Sequence, residues 1–129
     1  MKTKDKVANA IKWIDGLLVT RHKQGRKRLG NREVGFCCLG YGCHVIGIDY
    51  IPTMGFSRNF AVNVGLSHRE GFLIPEEAAR VGADYTTLAD LNDRAGWSFN
   101  QIAKLMIRRN FSMFDGDVAD KLVEHYKKA

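Results

Sequence analysis

The sequence of 129 residues predicts an α+β fold dominated by helices, with about four to six helices and one small two-stranded hairpin. Three observations predict this class: apolar residues recur at helical spacing, helix start and stop residues flank those segments, and only two short segments resemble paired strands. A chain of this length with 45% hydrophobic residues buries one core. We therefore expect residues 1–129 to form a single compact domain.

The first third of the chain predicts a helix, a loop and a second helix. Residues 4–20 have apolar side chains at three- and four-residue steps, which is typical of an amphipathic helix. Residues 21–28 are basic, and three glycines between positions 25 and 35 favour an irregular loop or a loose hairpin. Residues 37–48 are small and apolar without the alternation of a half-exposed strand, which predicts a buried helix.

The middle of the chain predicts a hairpin and a short helix. Residues 59–64 and 71–74 have the composition of short strands that pair around a turn at residues 65–70. A short helix is then predicted between Pro75, which suits a first helical position, and Gly82, which suits a helix end.

Capping patterns predict the remaining helices. Thr87 stands three positions before an aspartate, as in the capped start of a helical turn. Ser98 and Gln101 form an S-x-x-Q capping box ahead of an apolar face, which predicts a helix over residues 98–109. A last helix is predicted over residues 117–128, where apolar residues recur at four-residue steps.

Positive charge is concentrated at the amino end. Residues 1–34 contain ten Lys or Arg against three Asp or Glu, a balance of +7, whereas residues 35–129 contain ten against eleven, a balance of −1. The densest stretch, RHKQGRKR, attracts phosphate groups or an acidic partner through its field, with a merely solvated loop as the alternative. The residues expected to bind an anionic ligand are Arg21, Lys23, Gln24, Arg26, Lys27 and Arg28.

The sequence favours a cytoplasmic protein without a membrane partner. No segment approaches the roughly 18 consecutive apolar residues of a membrane span, and residues 1–10 lack the apolar core of a secretory signal. Three cysteines, two of them adjacent, do not suit a disulfide framework and fit a reducing compartment.

All three cysteines lie within GFCCLGYGCH, residues 35–44, and the first alternative for them is a zinc site. The four candidate ligands are Cys37, Cys38, Cys43 and His44. On a helix, Cys38 and Cys43 point roughly 140° apart, and Cys37 and His44 stand about 10 Å apart along the axis. One tetrahedral ion does not gather such a set, so we predict no metal site.

The second alternative is a cysteine nucleophile. A cysteine in the first turn of a helix has its thiolate stabilised by free backbone N–H groups and by the helix dipole. In chain order, Gln24, Cys38, His68 and Asn92 match the oxyanion donor, nucleophile, base and orienting residue of papain-like cysteine proteases, although the flanking residues differ. A hydrolase or transferase with Cys38, His68 and Asn92 as catalytic residues is therefore an alternative function.

Structural roles are favoured over both chemical roles. Cysteine is among the most buried residue types, and the small residues of CCLGYGC would let neighbouring helices approach closely. Asn92 and Asp93 stand at a helix end just before a glycine turn, where C-terminal capping and turn formation are favoured over polarising a thiol or holding a ligand.

Four features follow one another along the chain: Trp13 in the first predicted helix, HKQGRKRL (22–29), GFCCLGYGC (35–43) and LNDRAGWSFNQIA (91–103). Together they resemble a family of small proteins encoded mainly by bacteriophages, whose members carry K-Q-G, F-C-C-L-G-x-x-C, L-N-D and S-F-x-x-I-A in the same order. The resemblance implies no particular activity. The similarity covers roughly residues 13–48 and 88–107. It implies the cytoplasm of an infected bacterium as the location, and it implies no catalytic residues.

The sequence thus favours binding over catalysis. The expected partner is an anionic small molecule such as a nucleotide signal, a nucleic acid or an acidic host protein, in counter-defence or host takeover. A structural or assembly role, and a homo-oligomer, are further alternatives. No cofactor is predicted, because position 45 is Val where a third glycine would complete a dinucleotide-binding pattern.

Overall fold

The computed structural model describes residues 1–71 and 87–127, and these residues form six helices and one antiparallel two-stranded hairpin. The predicted fold class, α+β with helices dominating, is confirmed. None of the helices in these two ranges is sufficiently long and apolar to span a bilayer. The elements are α1 (Thr3–Val19), β1 (Gly30–Asn31), β2 (Gly35–Phe36), α2 (Cys38–Ile46), α3 (Arg58–Val64), α4 (Leu88–Asp93), α5 (Phe99–Arg108) and α6 (Gly116–Lys127).

Helix α1 is the centre of the fold, because α2, α3, α5 and α6 all pack against it. The ring of Trp13 meets that of Phe60 edge to face at 4.9 Å, and its Nε1 donates a hydrogen bond to the carbonyl oxygen of Cys38 (2.9 Å). Full burial of a large apolar side chain stabilises a fold by roughly 1.5–3 kcal/mol, so this face of α1 is a main source of stability. Its buried residues are Ala10, Trp13, Ile14 and Leu17.

Helix α2 confirms both the predicted buried helix and the packing role of its small residues. A side chain at Gly40 would overlap the backbone carbonyl of Leu29, and one at Gly42 would overlap the ring of Phe60. The helix ends at Gly47, whose φ of 74° is the left-handed conformation common at helix ends. Because two neighbours approach its backbone directly, any side chain at these two interior positions would force a neighbour to shift.

The predicted caps are also confirmed. The Thr87 side chain accepts a hydrogen bond from the backbone N–H of Asp90 at the start of α4. At the start of α5, Ser98 and Gln101 form both hydrogen bonds of the capping box. Each cap satisfies backbone donors that a helix leaves unpaired at its amino end.

The predicted strand at residues 59–64 is wrong, because this segment lies in α3. The side chain of Ser57 caps the helix by accepting from the backbone N–H of Phe60, and Gly65 ends it in the left-handed conformation. These start and stop residues outweigh the strand preference of the two valines. The second predicted strand, except for Gly71, and the helix at Pro75 lie outside the described residues.

The hairpin instead lies at residues 30–36, in the segment where glycine spacing allowed a loop or a loose hairpin. Gly30 pairs with Phe36, and Asn31 pairs with Gly35. Gly30 and Gly35 have φ values of 80° and 94°, which residues with a side chain rarely adopt. The glycines therefore allow the chain to turn from the basic segment into α2.

Candidate functional site

The basic loop, defined here as residues 21–28, presents five cationic side chains to solvent. In the described part of the chain, their ammonium and guanidinium groups make one hydrogen bond, from Arg26 Nη1 to the carbonyl oxygen of Gly25 (3.2 Å), and no ion pair. Five positive charges close together create a field that attracts anions. The exposed cations are Arg21, Lys23, Arg26, Lys27 and Arg28.

The backbone of the basic loop is tied to the hairpin. The N–H of Phe36 donates to the carbonyl oxygen of Lys23 (2.9 Å), and the N–H of Gly25 donates to that of Phe36 (2.6 Å). Immediately after the loop, the N–H of Leu29 donates to the carbonyl oxygen of Met54 (2.7 Å). The loop is irregular but held on both sides, so its side chains project from a fixed base.

Asn92 joins the basic loop to the cysteine segment. Its fully buried side chain accepts, through Oδ1, from Gln24 Nε2 (2.7 Å) and from the backbone N–H of Cys38 (3.1 Å). Its Nδ2 donates to the carbonyl oxygen of Gly25 (2.9 Å) and to Oδ1 of Asp93 (2.8 Å). An asparagine amide has two donors and accepts two hydrogen bonds, so its capacity is filled within the protein.

Two further hydrogen bonds fix the loop from the same side. Asp93 Oδ1 accepts from the backbone N–H of Lys27 (2.7 Å), a residue with the unusual φ of 66°. Gln24 Nε2 also donates to the carbonyl oxygen of Trp97 (2.8 Å). The expectation that Asn92 and Asp93 cap their own helix is wrong, because both side chains bond to residues of the distant basic loop.

Gln24 therefore differs from the other residues expected to bind a ligand. Both hydrogen bonds of its amide nitrogen point inward, to Asn92 and Trp97, whereas the five cations point outward. In this structure Gln24 positions the loop, and the cations are the groups available to an anion.

The three cysteines are free thiols, and all are buried. Burial raises the pKa of Cys37 from 9.0 to about 11, although a hydrogen bond from the backbone N–H of Gly40 lowers it. Burial likewise raises the pKa of Cys43 to about 12 and that of Cys38 well above its usual value. At the start of α2 the cost of placing a thiolate away from water thus outweighs the stabilisation expected from the helix dipole.

The structure brings together two of the three residues of the alternative catalytic arrangement, Cys38 and Asn92. Asn92, however, contacts the backbone N–H of Cys38, and the Cys38 thiol donates to the carbonyl oxygen of Leu88 (3.6 Å). His68 lines a surface cavity of about 320 Å³ with residues that include Arg58 and Arg69. A nucleophile of this class needs a contact that activates its thiol. Asn92 instead binds the backbone of Cys38.

The four residues considered for zinc lie in different surroundings. Cys37 caps α2, Cys38 faces Leu88, and the His44 ring stacks on that of Phe36 at 5.0 Å. Within residues 1–71 and 87–127, no three His, Cys, Asp or Glu side chains are grouped to hold a metal ion.

Two features near the basic loop were missed from the sequence. The first is a corner in which the rings of His22 and His44 lie 5.2 Å apart. The pKa of His44 is lowered, mainly by burial and further by the charges of Arg32 and His22. Only the fold brings the loop, the hairpin and α2 to one place, so no local pattern in the sequence indicates this corner.

The second missed feature is a surface cleft, here called the 49–58 cleft, of about 460 Å³. It lies beside the carboxyl end of the basic loop. Its walls combine aromatic, aliphatic and charged side chains from Asp49, Tyr50, Ile51, Met54, Phe56, Ser57 and Arg58.

Comparison of the chain with protein-family models, curated proteins and solved structures gives no match. The function is therefore inferred from the charge, burial and hydrogen bonding of the site itself.

Proposed function

We propose that the protein acts by binding an anionic ligand or partner through the basic loop, the partner being a nucleotide, a nucleic acid or an acidic protein surface. The observation that supports the proposal is the set of five exposed cations without ion pairs in the described residues, carried on a fixed backbone. Catalysis by Cys38 is less well supported, because its thiol is buried and its pKa is raised by that burial.

The fixed backbone favours binding for an entropic reason. Ordering a flexible loop on association costs free energy, whereas here Asn92, Asp93 and Phe36 already hold the loop. Each arginine presents a planar set of donors that matches a phosphate or carboxylate, and each lysine adds a point charge. An anion also relieves the repulsion among the five cations, so the loop is suited to dense negative charge.

The biological setting we propose is the cytoplasm of a bacterium infected by a phage. The resemblance of HKQGRKRL, GFCCLGYGC and LNDRAGWSFNQIA to a phage-encoded family supports this setting. There, an anion-binding protein of this size would act in counter-defence or host takeover, by sequestering a nucleotide signal or by covering an acidic host surface.

The test is to remove charge from the loop and measure binding of inorganic tripolyphosphate by calorimetry at several salt concentrations. The triple variant Arg26→Ala, Lys27→Ala, Arg28→Ala should bind at least about tenfold more weakly and with a shallower salt dependence. Its free energy of unfolding should stay within about 0.5 kcal/mol of the wild-type value, because the three side chains are exposed.

A matched control removes the same charge elsewhere. Lys104, Arg108 and Arg109 are also exposed, at the carboxyl half of α5 and just beyond it. Their triple alanine variant should retain wild-type affinity and salt dependence. Equal weakening in both triple variants would show that only net charge matters, and absence of binding by the wild-type protein would contradict the proposal outright.

A further inference from the structure

The segment that lines the 49–58 cleft is hydrogen-bonded to the backbone immediately after the basic loop. The N–H of Leu29 donates to the carbonyl oxygen of Met54 (2.7 Å), and the N–H of Gly30 donates to that of Pro52 (2.8 Å). On the other side, the Tyr50 hydroxyl donates to the carbonyl oxygen of Gly30 (3.0 Å). The backbone immediately after Arg28 is therefore bonded to both arms of the segment that lines the cleft.

The cleft exposes apolar side chains that the core leaves unused. Ile51 is 62% exposed and Met54 is 42% exposed, and both line the cleft together with the aromatic residues Tyr50 and Phe56. Flat apolar and aromatic walls favour a planar ring as an occupant. A volume of about 460 Å³ lies within the range of small-molecule sites in proteins.

Positive charge also lies in the wall of the cleft itself. Arg58 lines both this cleft and the neighbouring cavity that contains Arg69. The guanidinium of Arg69 lies 4.5 Å from the centre of the Phe56 ring, a cation–π contact with the cleft wall. An occupant of the cleft therefore meets Arg58 in the wall, and Gly55 on the same segment approaches the carbonyl oxygen of Lys27 in the basic loop.

We propose that the 49–58 cleft binds the base of a nucleotide whose phosphates contact Arg58 and the carboxyl end of the basic loop. This inference rests on the proposed anion-binding function and names its ligand class. A nucleotide is the ligand that combines a planar ring with adjacent negative charge, as the cleft and its borders combine apolar walls with cations. An acidic peptide fits less well, because it has no planar ring to place and would bring its carboxylates towards Asp49.

The experiment compares three probes on the full chain by calorimetry: ATP, inorganic tripolyphosphate and adenosine. We expect ATP to bind at least about tenfold more tightly than tripolyphosphate, although ATP carries less charge, because the base adds contacts in the cleft. Adenosine should bind most weakly, because it lacks phosphate. Equal affinity for ATP and tripolyphosphate would overturn the cleft proposal and leave the anion-binding function standing, whereas no binding of either probe would contradict both.

Variants separate the two parts of the site. The double variant Ile51→Ser, Met54→Ala should lower the affinity for ATP to that for tripolyphosphate without changing the latter. Val19→Ser, at a position 78% exposed and away from the cleft lining, is the control and should change neither affinity. Loss of affinity for both probes in the cleft variant would contradict a separate pocket for the base.

A measurement on the wild-type protein tests the same proposal without any substitution. The methyl resonance of Met54 should shift on addition of ATP through the ring current of the base, and it should not shift on addition of tripolyphosphate. An unchanged resonance with saturating ATP would overturn the proposal. The last probe is a single-stranded DNA 12-mer of deoxyadenosine. If it binds more tightly than ATP, the base in the cleft belongs to a single-stranded nucleic acid; if it binds more weakly, the base belongs to a free nucleotide.

Discussion

The basic loop and the cysteine segment, residues 35–44, are close in sequence and are hydrogen-bonded to the same asparagine, yet they have opposite surroundings. The loop exposes its five cations, whereas the cysteine segment buries all three of its thiols. Asn92 accepts from Cys38 on one side and donates to Gly25 on the other. The comparison teaches that polar groups whose hydrogen bonds are completed inside the protein hold this fold. The charged groups exposed at its surface are the ones suited to a ligand.

The difference between the two regions has one physical cause. A charge in water costs little, so the loop keeps its cations where they are solvated. A thiolate out of water is costly, so burial raises the pKa values of the cysteines and keeps them protonated. The cysteines, which most suggested catalysis or metal binding in the sequence, are therefore packing residues of the core.

The largest expected effect comes from removing the Asn92 side chain, which is hydrogen-bonded to both regions. Asn92→Ala removes four hydrogen bonds and leaves the backbone N–H of Cys38 and the carbonyl oxygen of Gly25 without this partner. Each buried group left unsatisfied costs about 1–3 kcal/mol, so the free energy of unfolding should fall by about 3 kcal/mol or more. Urea unfolding followed by circular dichroism measures the change.

The matched control for this substitution is Asn63→Ala. Among the described residues, the Asn63 side chain donates to Asn59, one turn earlier on α3, and these hydrogen bonds are exposed to solvent. Its removal should cost less than about 1 kcal/mol. A similar loss in both variants would mean that Asn92 is an ordinary polar residue and that the two regions are not joined through it.

An intermediate effect is expected from a methyl group added to α2. Gly40→Ala should destabilise the protein by about 2–3 kcal/mol, because the new Cβ overlaps the Leu29 carbonyl at the end of the basic loop. Gly116→Ala is the control, since no heavy atom lies within 4 Å of a Cβ placed there at the start of α6. In thermal unfolding, the melting temperature should fall for Gly40→Ala and rise for Gly116→Ala, because alanine in an open helical position stabilises by up to about 1 kcal/mol.

The last effect is absent at neutral pH and appears only in alkaline solution. The unfolded chain releases the Cys37 proton near pH 9, whereas the folded protein holds it to about pH 11. Stability should therefore be unaffected below pH 9 and fall as the pH rises from 9 to 11, at up to about 1.4 kcal/mol per pH unit for this thiol. Urea unfolding under reducing conditions measures the slope, and Cys37→Ala should make it shallower.

Alkylation of the cysteines tests both the raised pKa values of the buried thiols and the nucleophile hypothesis. At pH 8 the native thiols should react slowly with iodoacetamide and should react fully once urea unfolds the chain. Rapid alkylation of Cys38 in the native protein would contradict the packing role and support catalysis.

Much of the fold was predictable because its causes are local. The capping box of Ser98 and Gln101, the cap at Thr87 and the apolar stripe of α1 all depend on residues within a few positions of one another. The strand prediction for residues 59–64 was wrong because short apolar segments suit either structure, and Ser57 and Gly65 decided in favour of a helix.

The candidate site was predictable only in part. Its charge was evident, because five Lys and Arg lie within eight consecutive positions. The roles of Gln24 and Asn92 were not evident from the sequence. The two residues are 68 positions apart, and their side-chain amides are hydrogen-bonded to each other. The 49–58 cleft was missed for the same reason, since the backbone hydrogen bonds that join it to residues 29 and 30, just after the basic loop, are indicated by no residue type.

The sequence by itself determined the helices, their caps and the excess of cations near the amino end, because periodicity, capping and charge are properties of neighbouring residues. Only the tertiary structure decided which polar groups are hydrogen-bonded within the protein and which remain exposed to a ligand. That decision depends on burial and on hydrogen bonds between distant segments, and these exist only once α1, α2 and the Asn92 side chain have come together.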